Sequence, residues 1–397
     1  MQATNVNQPH LNRDKLSLLI LIQLLTLSIF SYTVVGQSPP ADEKLEPRTL
    51  HGGIEISPRV VRAIGLRISN GEEGLNIKIL FSNTSTIPTP YPSDGNLKKE
   101  YIHDVARIVQ SDMEMMQKEY QIPLAQVYVI GNSDLVTQNP NDLKNEVFGR
   151  TGKTINFLNA EAEIQLEIAG VIPRRYQLDN KLYDNRGISS LIDIGITVTK
   201  GGYQQLKQTD TGRPGYDFST WDVAKGVITF ADEVGKAAGE NADNKTFARM
   251  AASMSNSFRE ALRTEALKRP GILTRKKLYL TGGIIMALVD YLHPDDQRPY
   301  IPITLADINA FHDRAVSDPE SLLNTVFPRI HDVKLRAELS MNRDAVKNTF
   351  NAKTLIAGAE LLRAMAAELN LWDKKVLYPR HSQLARILSY VRLQPEQ

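Results

Sequence analysis

Apolar and polar positions fall into three patterns along the chain. The first is an uncharged, mostly apolar run over residues 16–35. As a helix it would rise about 30 Å, close to the thickness of a bilayer core, so it predicts a membrane-spanning or signal segment. Arg13 and Lys15 precede it and Asp42 and Glu43 follow, which places the N-terminus inside and the body outside. Two fates fit: an uncleaved anchor, or a signal peptide cut near Gly36, with Val34 and Gly36 as the small residues. Residues 37–50, with Pro39 and Pro40, read as a polar linker.

The second pattern mixes strand-like and helix-like stretches. Residues 53–69 predict strand, turn and strand, with Ser57-Pro58-Arg59 as the turn. Residues 75–81 predict a strand, and the Ser/Thr/Pro-rich stretch 83–96 a loop. Residues 97–120 predict a helix with Ile102, Val105, Ile108, Val109 and Met116 on one face. A strand at 126–130, helices at 141–148 and 161–169, strand–turn–strand at 190–199 and a β-like stretch at 226–230 follow. The third pattern, from Phe247 onward, is mainly helical: 247–267, 283–291, 305–316 and 354–369, punctuated by Pro270, Pro294, Pro302 and Pro328. The order predicts an α/β core with helical additions.

A length of 397 residues suggests two or three domains. The 47 basic and 45 acidic side chains nearly balance, so no global field draws in nucleic acid, and a polyanion would need a local site. The absence of cysteine excludes disulfides, thiolate nucleophiles and Cys-based metal centres. The seven histidines show no close metal-ligand spacing. Asn83-Thr84-Ser85 and Asn244-Lys245-Thr246 fit the glycosylation pattern, relevant only in a eukaryotic secretory path.

Several segments, in order, resemble the exopolyphosphatase and guanosine pentaphosphate phosphohydrolase (Ppx/GppA) family over roughly residues 53–370. Thr151-Gly152-Lys153 with residues 155–171 is similar to the family's stretch around its "eEA" motif. Residues 190–200 are similar to its "vvDiGGGStE" loop, and Leu280-Thr281-Gly282-Gly283 to its "GtGGt" turn. Residues 343–370, with Ala357-Gly358-Ala359-Glu360-Leu361-Leu362, are similar to its late helical segment, and residues 53–66 faintly to its opening strand–loop–strand. The resemblance implies two actin-like (ribonuclease H-like) α/β lobes, the first over 51–171 and the second over 172–397, with the C-terminal helices packed on the second or returning to the first. It implies a site in the cleft between them.

The chemistry implied is metal-dependent hydrolysis of the terminal phosphoanhydride of polyphosphate or a guanosine polyphosphate. That reaction requires stabilised developing charge, an aligned water and a carboxylate acting on that water. By resemblance, Glu163 is the catalytic carboxylate, and Asp193 and Glu55 are the ligands of Mg2+. Ser57, Arg59, Gly195, Thr197, Thr199, Lys200, Gly282 and Gly283 line the phosphate-facing turns. The departures are large. The second turn reads Gly195-Ile196-Thr197-Val198-Thr199-Lys200, with the β-branched Ile196 where the family has a glycine and the β-branched Val198 where it has a serine. Pro58 removes a backbone donor from the first turn, and the family's phosphate-binding arginine falls on Leu135. Arg59 and Lys200 add positive charge in return. Two readings follow. One is an Mg2+-dependent phosphohydrolase. The other is an exported or membrane-tethered relative that binds polyphosphate or a phosphorylated small molecule, or acts as a scaffold, without turnover.

Overall fold

The computed structural model describes residues 49–71, 74–89, 96–135, 140–178, 181–208, 214–239 and 241–394. The apolar run at 16–35 and most of the linker lie outside these residues. Among the described residues, no helix is long and apolar enough to cross a membrane.

Two mixed sheets organise the chain. The first runs in the order β3-β2-β1-β4-β5, from β1 (Thr49–Ile56), β2 (Val60–Gly71), β3 (Gly74–Thr86), β4 (Val127–Gly131) and β5 (Ile155–Phe157). The second runs β10-β9-β8-β11-β13-β12, from β8 (Ser189–Ile194), β9 (Thr199–Gln208), β10 (Pro214–Val223), β11 (Lys277–Thr281), β12 (Tyr300–Pro302) and β13 (Lys375–Pro379). Between them, β6 (Arg175–Leu178) and β7 (Lys181–Asp184) form a separate hairpin. Each sheet opens with an antiparallel three-strand meander whose first strand then pairs in parallel with a later one: β1 with β4, and β8 with β11. The two lobes therefore repeat one topology, the arrangement expected of two actin-like lobes.

Helix α1 (Lys99–Tyr120) buries Ile102, Val105, Val109 and Met116 against the first sheet and packs beside α2 (Pro140–Thr151). The second core is larger. There, α4 (Val227–Ala238), α5 (Asn244–Lys268), α6 (Gly283–Leu292), α7 (Leu305–Ser317), α8 (Val333–Thr349) and α9 (Ala352–Glu368) gather around the second sheet. Helix α9 is buried over nearly its whole length, as its apolar, alanine-rich sequence requires.

Two helices join the lobes. Helix α3 (Ala160–Val171) lies against β9 and β10 of the second sheet and against α10 (Ala385–Arg392). Helix α10 leaves the second sheet after β13 and returns to β1 of the first. Gly53 permits this approach: a Cβ there would lie 2.5 Å from Ile387 Cγ1. Residues 385–392, within the span of the second lobe, therefore return to the first, one of the two placements expected of the late helices.

The stretch at 226–230 is a correction. Its Val, Ile, Thr and Phe suggest strand, yet residues 227–238 form α4. The Thr229 hydroxyl accepts a hydrogen bond from the Gly226 N–H, and Val227, Phe230 and Val234 are buried at helical spacing. Tertiary packing overrides the local β preference.

Candidate functional site between the lobes

The meander hairpins of the two lobes face each other across a cleft of about 130 Å³, many times the roughly 10–15 Å³ that one water needs. Ser57, Arg59 and Arg62 reach it from the first lobe. Asp193, Gly195, Lys200, Gly282 and Gly283 reach it from the second, and Arg386 from α10. Ile194, Ile196, Met286, Val346 and Phe350 form an apolar wall.

Strand register sets the charges. Glu55 on β1 stands opposite Arg62 on β2, and Asp193 on β8 stands opposite Lys200 on β9. Both acid–base pairs have the same separation in sequence. Arg386 comes from α10 into the middle: its Nε donates to Glu55 Oε1 at 2.9 Å, and its Nη1 to Glu167 Oε2 at 3.3 Å and Asp193 Oδ2 at 3.4 Å. Lys200 Nζ donates to Glu163 Oε2 and lies 4.0 Å from Asp193 Oδ2. Lys200 is 2% exposed and Glu163 0%.

Burial pushes the Glu163 carboxyl up, but the charges of Lys200 and Arg386 and the bonds from Lys200 and Ser133 outweigh it and leave it below its ordinary value. Burial pulls Lys200 down, and Glu163 and Asp193 more than restore it, so it titrates above its ordinary value. Burial and the Asp193 charge push the Glu167 carboxyl up to about 7.

The residues expected from sequence divide as follows. Glu163 is at the start of α3, but both its oxygens are engaged. Oε1 accepts from the Ser133 N–H at 2.5 Å, and Oε2 from Ser133 Oγ at 2.9 Å and from Lys200. It does not line the cleft. Glu55 and Asp193 converge, as expected of two metal ligands, but around the Arg386 guanidinium. Thr199 is fully buried and donates to the Lys225 carbonyl at 2.7 Å, away from the cleft. Thr197 donates to Asp134 across the lobes. The Gly195 N–H is bound to the Val198 carbonyl at 3.1 Å within its own turn and so is not presented to a ligand. Leu135 is a buried core residue. Gly282 has φ +106, and a Cβ there would lie 2.4 Å from the Ile194 carbonyl oxygen. The residue must be glycine for β11 to pass into α6 beside Asp193.

Sequence reasoning missed Arg62, Glu167 and Arg386. The equal spacing of Glu55–Arg62 and Asp193–Lys200 was a readable signal for Arg62. Nothing local marks Arg386, which meets Glu55 from 331 positions away.

Magnesium does not fit this set of donors. It needs oxygen ligands at about 2.0–2.1 Å in octahedral array, and the oxygens of Glu55 and Asp193 that converge are already bonded by a guanidinium. Among the described residues, no three His, Asp or Glu side chains form a group that would hold a metal ion.

No family model matches the sequence, and no curated protein does. Solved structures do match in shape. An exopolyphosphatase-like protein superposes with a TM-score of 0.60 at 12% identity, covering 87% of this chain and 98% of its own. An exopolyphosphatase from Cytophaga hutchinsonii gives 0.58 at 12%, over 87% and 98%. The Ppx/GppA protein of Aquifex aeolicus gives 0.55 at 12%, over 88% and 100%. Nearly the full length of each is covered, by a chain with the same two-lobed plan, so this protein has the fold of the Ppx/GppA exopolyphosphatase structures.

Proposed function

We propose that this chain is a divergent Ppx/GppA relative whose interlobe cleft binds a phosphate-bearing anion, inorganic polyphosphate or a phosphorylated small molecule, without hydrolysing it. The observation that carries this reading is the buried Glu163–Lys200 pair. A fully buried carboxylate that accepts three hydrogen bonds from Lys200 and Ser133 and stands outside the cleft lining is poorly placed to act on a water there, and moving a buried charge out of such a pair is expensive.

The remaining charge favours an anion. Arg59, Arg62, Lys200 and Arg386 line the cleft against Asp134, Glu167 and Asp193, and burial with the Asp193 charge raises the pKa of Glu167. The buried Nε atoms of Arg59 and Arg62 and the Ser57 Oγ have no hydrogen-bond partner among the described residues. Burial lowers the pKa of both guanidinium groups. Each unmatched buried donor costs about 1–3 kcal/mol, which a phosphate oxygen offsets. The phosphohydrolase reading draws on the fold, but fold does not fix chemistry.

In this reading the apolar run at 16–35 carries the body out of the cytoplasm, where inorganic polyphosphate is a more plausible ligand than a cytoplasmic guanosine signal. The test is calorimetric titration of the full-length protein with tripolyphosphate. Saturable binding that weakens about tenfold or more in Arg59→Ala/Arg62→Ala supports the reading. Equal affinity in the variant, or no binding by the wild type, rejects it.

A further inference from the structure

The carboxylates that the resemblance assigns to a metal each have a cation built opposite them. Across β1 and β2, Glu55 faces Arg62, and across β8 and β9, Asp193 faces Lys200. Arg386 then touches Glu55, Glu167 and Asp193 together, with its side chain only 13% exposed. A divalent ion between the two hairpins would have to displace this guanidinium and repel the Lys200 ammonium 4.0 Å from Asp193. Displaced cations would then lie buried without partners, which is strongly unfavourable. The acids and cations also come from four separate parts of the fold, the β1–β2 hairpin, α3, the β8–β9 hairpin and α10, so the neutralised state is set by the tertiary fold and not by one mobile loop.

We propose that Lys200 and Arg386 are a covalently fixed substitute for a divalent cation, so that the cleft holds its phosphate-bearing ligand with no metal. In a metal-dependent site the ion neutralises acidic side chains and meets phosphate oxygens. Here Arg386 neutralises Glu55 and Asp193 while lining the cleft, and Lys200 does the same for Glu163 and Asp193. A guanidinium suits this position because it stays charged under all accessible conditions and offers several donors in one plane. The ligand class rests on the anion-binding reading above; the displacement of metal does not.

Two measurements on the full-length protein test this separately. In the first, tripolyphosphate is titrated by calorimetry in EDTA. Saturable binding is expected there, and binding that requires added Mg2+ overturns the substitution. In the second, Mn2+ alone is titrated and followed by its paramagnetic resonance. The wild type is expected to take up none at the cleft, while Arg386→Gln and Lys200→Met/Arg386→Gln, with their carboxylates released, acquire one ion. The double variant should also bind tripolyphosphate about tenfold more weakly in EDTA. Stoichiometric Mn2+ uptake by the wild type, or none by a variant whose circular dichroism shows it folded, overturns the proposal. If the double variant does not fold, the single variant and the wild-type titrations still decide. A wild type that excludes Mn2+ but binds no tripolyphosphate in either buffer instead refutes the anion-binding reading and leaves the metal substitution standing.

Discussion

Glu163 shows how a neighbour changes the meaning of a side chain. As a glutamate in the first turn of a helix it can stabilise a dipole, orient a water or close an ion pair. Lys200, across the lobe boundary, selects the last. The consequence is measurable in stability. Glu163→Gln removes the hydrogen-bonded counter-charge of the buried Lys200 ammonium, leaving Asp193 at 4.0 Å, and should cost up to about 3–5 kcal/mol in urea unfolding. Adding Lys200→Met should recover most of that loss, because the double variant removes both charges. Additive losses would mean that the two residues do not act as a pair. Part of this was legible: Lys200 was visible as a charge in the second turn. Its partner was not, since pairing depends on how α3 docks on the second sheet.

At the scale of elements, local rules worked where one face or one turn decides. The turn at 57–59, the amphipathic helix at 99–120 and the short strand at 127–131 follow from pattern alone. They failed where local side-chain preference conflicts with tertiary packing or where the apolar stripe is thin. Residues 227–230 carry strand-forming side chains yet open a helix packed in the second core, and the first part of the helix at 333–349, before residue 343, carries no sequence assignment. Helix α10 has a strongly amphipathic sequence, but its path back to β1 is a tertiary fact. Its seat is testable. Gly53→Ala should destabilise the protein by about 1–3 kcal/mol through overlap with Ile387, and Ile387→Ala in the same chain should relieve part of that. If Gly53→Ala melts like the wild type, α10 does not lie on β1 as described.

At the scale of the whole molecule, order and spacing of motifs carried the two-lobed plan further than any single motif did. The degenerate turns, read as weakened phosphate cradles, turn out to be closed hairpins whose acids are matched by cations. Buried carboxyls also give the molecule a pH signature. Burial pushes Asp112 up to about 6 and Asp290 up to about 7, and burial with Asp193 pushes Glu167 up to about 7. Each binds a proton more tightly folded than unfolded, where carboxyls titrate near about 4. Their contribution is therefore complete below about pH 4 and is lost as pH rises through about 6 to 7. Glu163, displaced downward, keeps its contribution across that window. Thermal midpoints should fall by several degrees between about pH 5 and about pH 7.5, with a smaller drop in Asp290→Asn; a midpoint that rises over this range contradicts the burial of these groups. The expected export has its own check. Protease added to intact cells should digest the body beyond residue 50 if the run at 16–35 carries it outward, and protection of the body until lysis contradicts that placement.

The central claim is that the fold keeps a phosphate-binding cleft while Lys200 and Arg386 close off its acidic machinery. The most direct measurement is phosphate release from long-chain polyphosphate by the full-length protein, with Mg2+ present and at concentrations where binding is saturated. The account predicts release no faster than that of the Glu163→Gln variant. Release well above that variant's, abolished by the substitution, would contradict it.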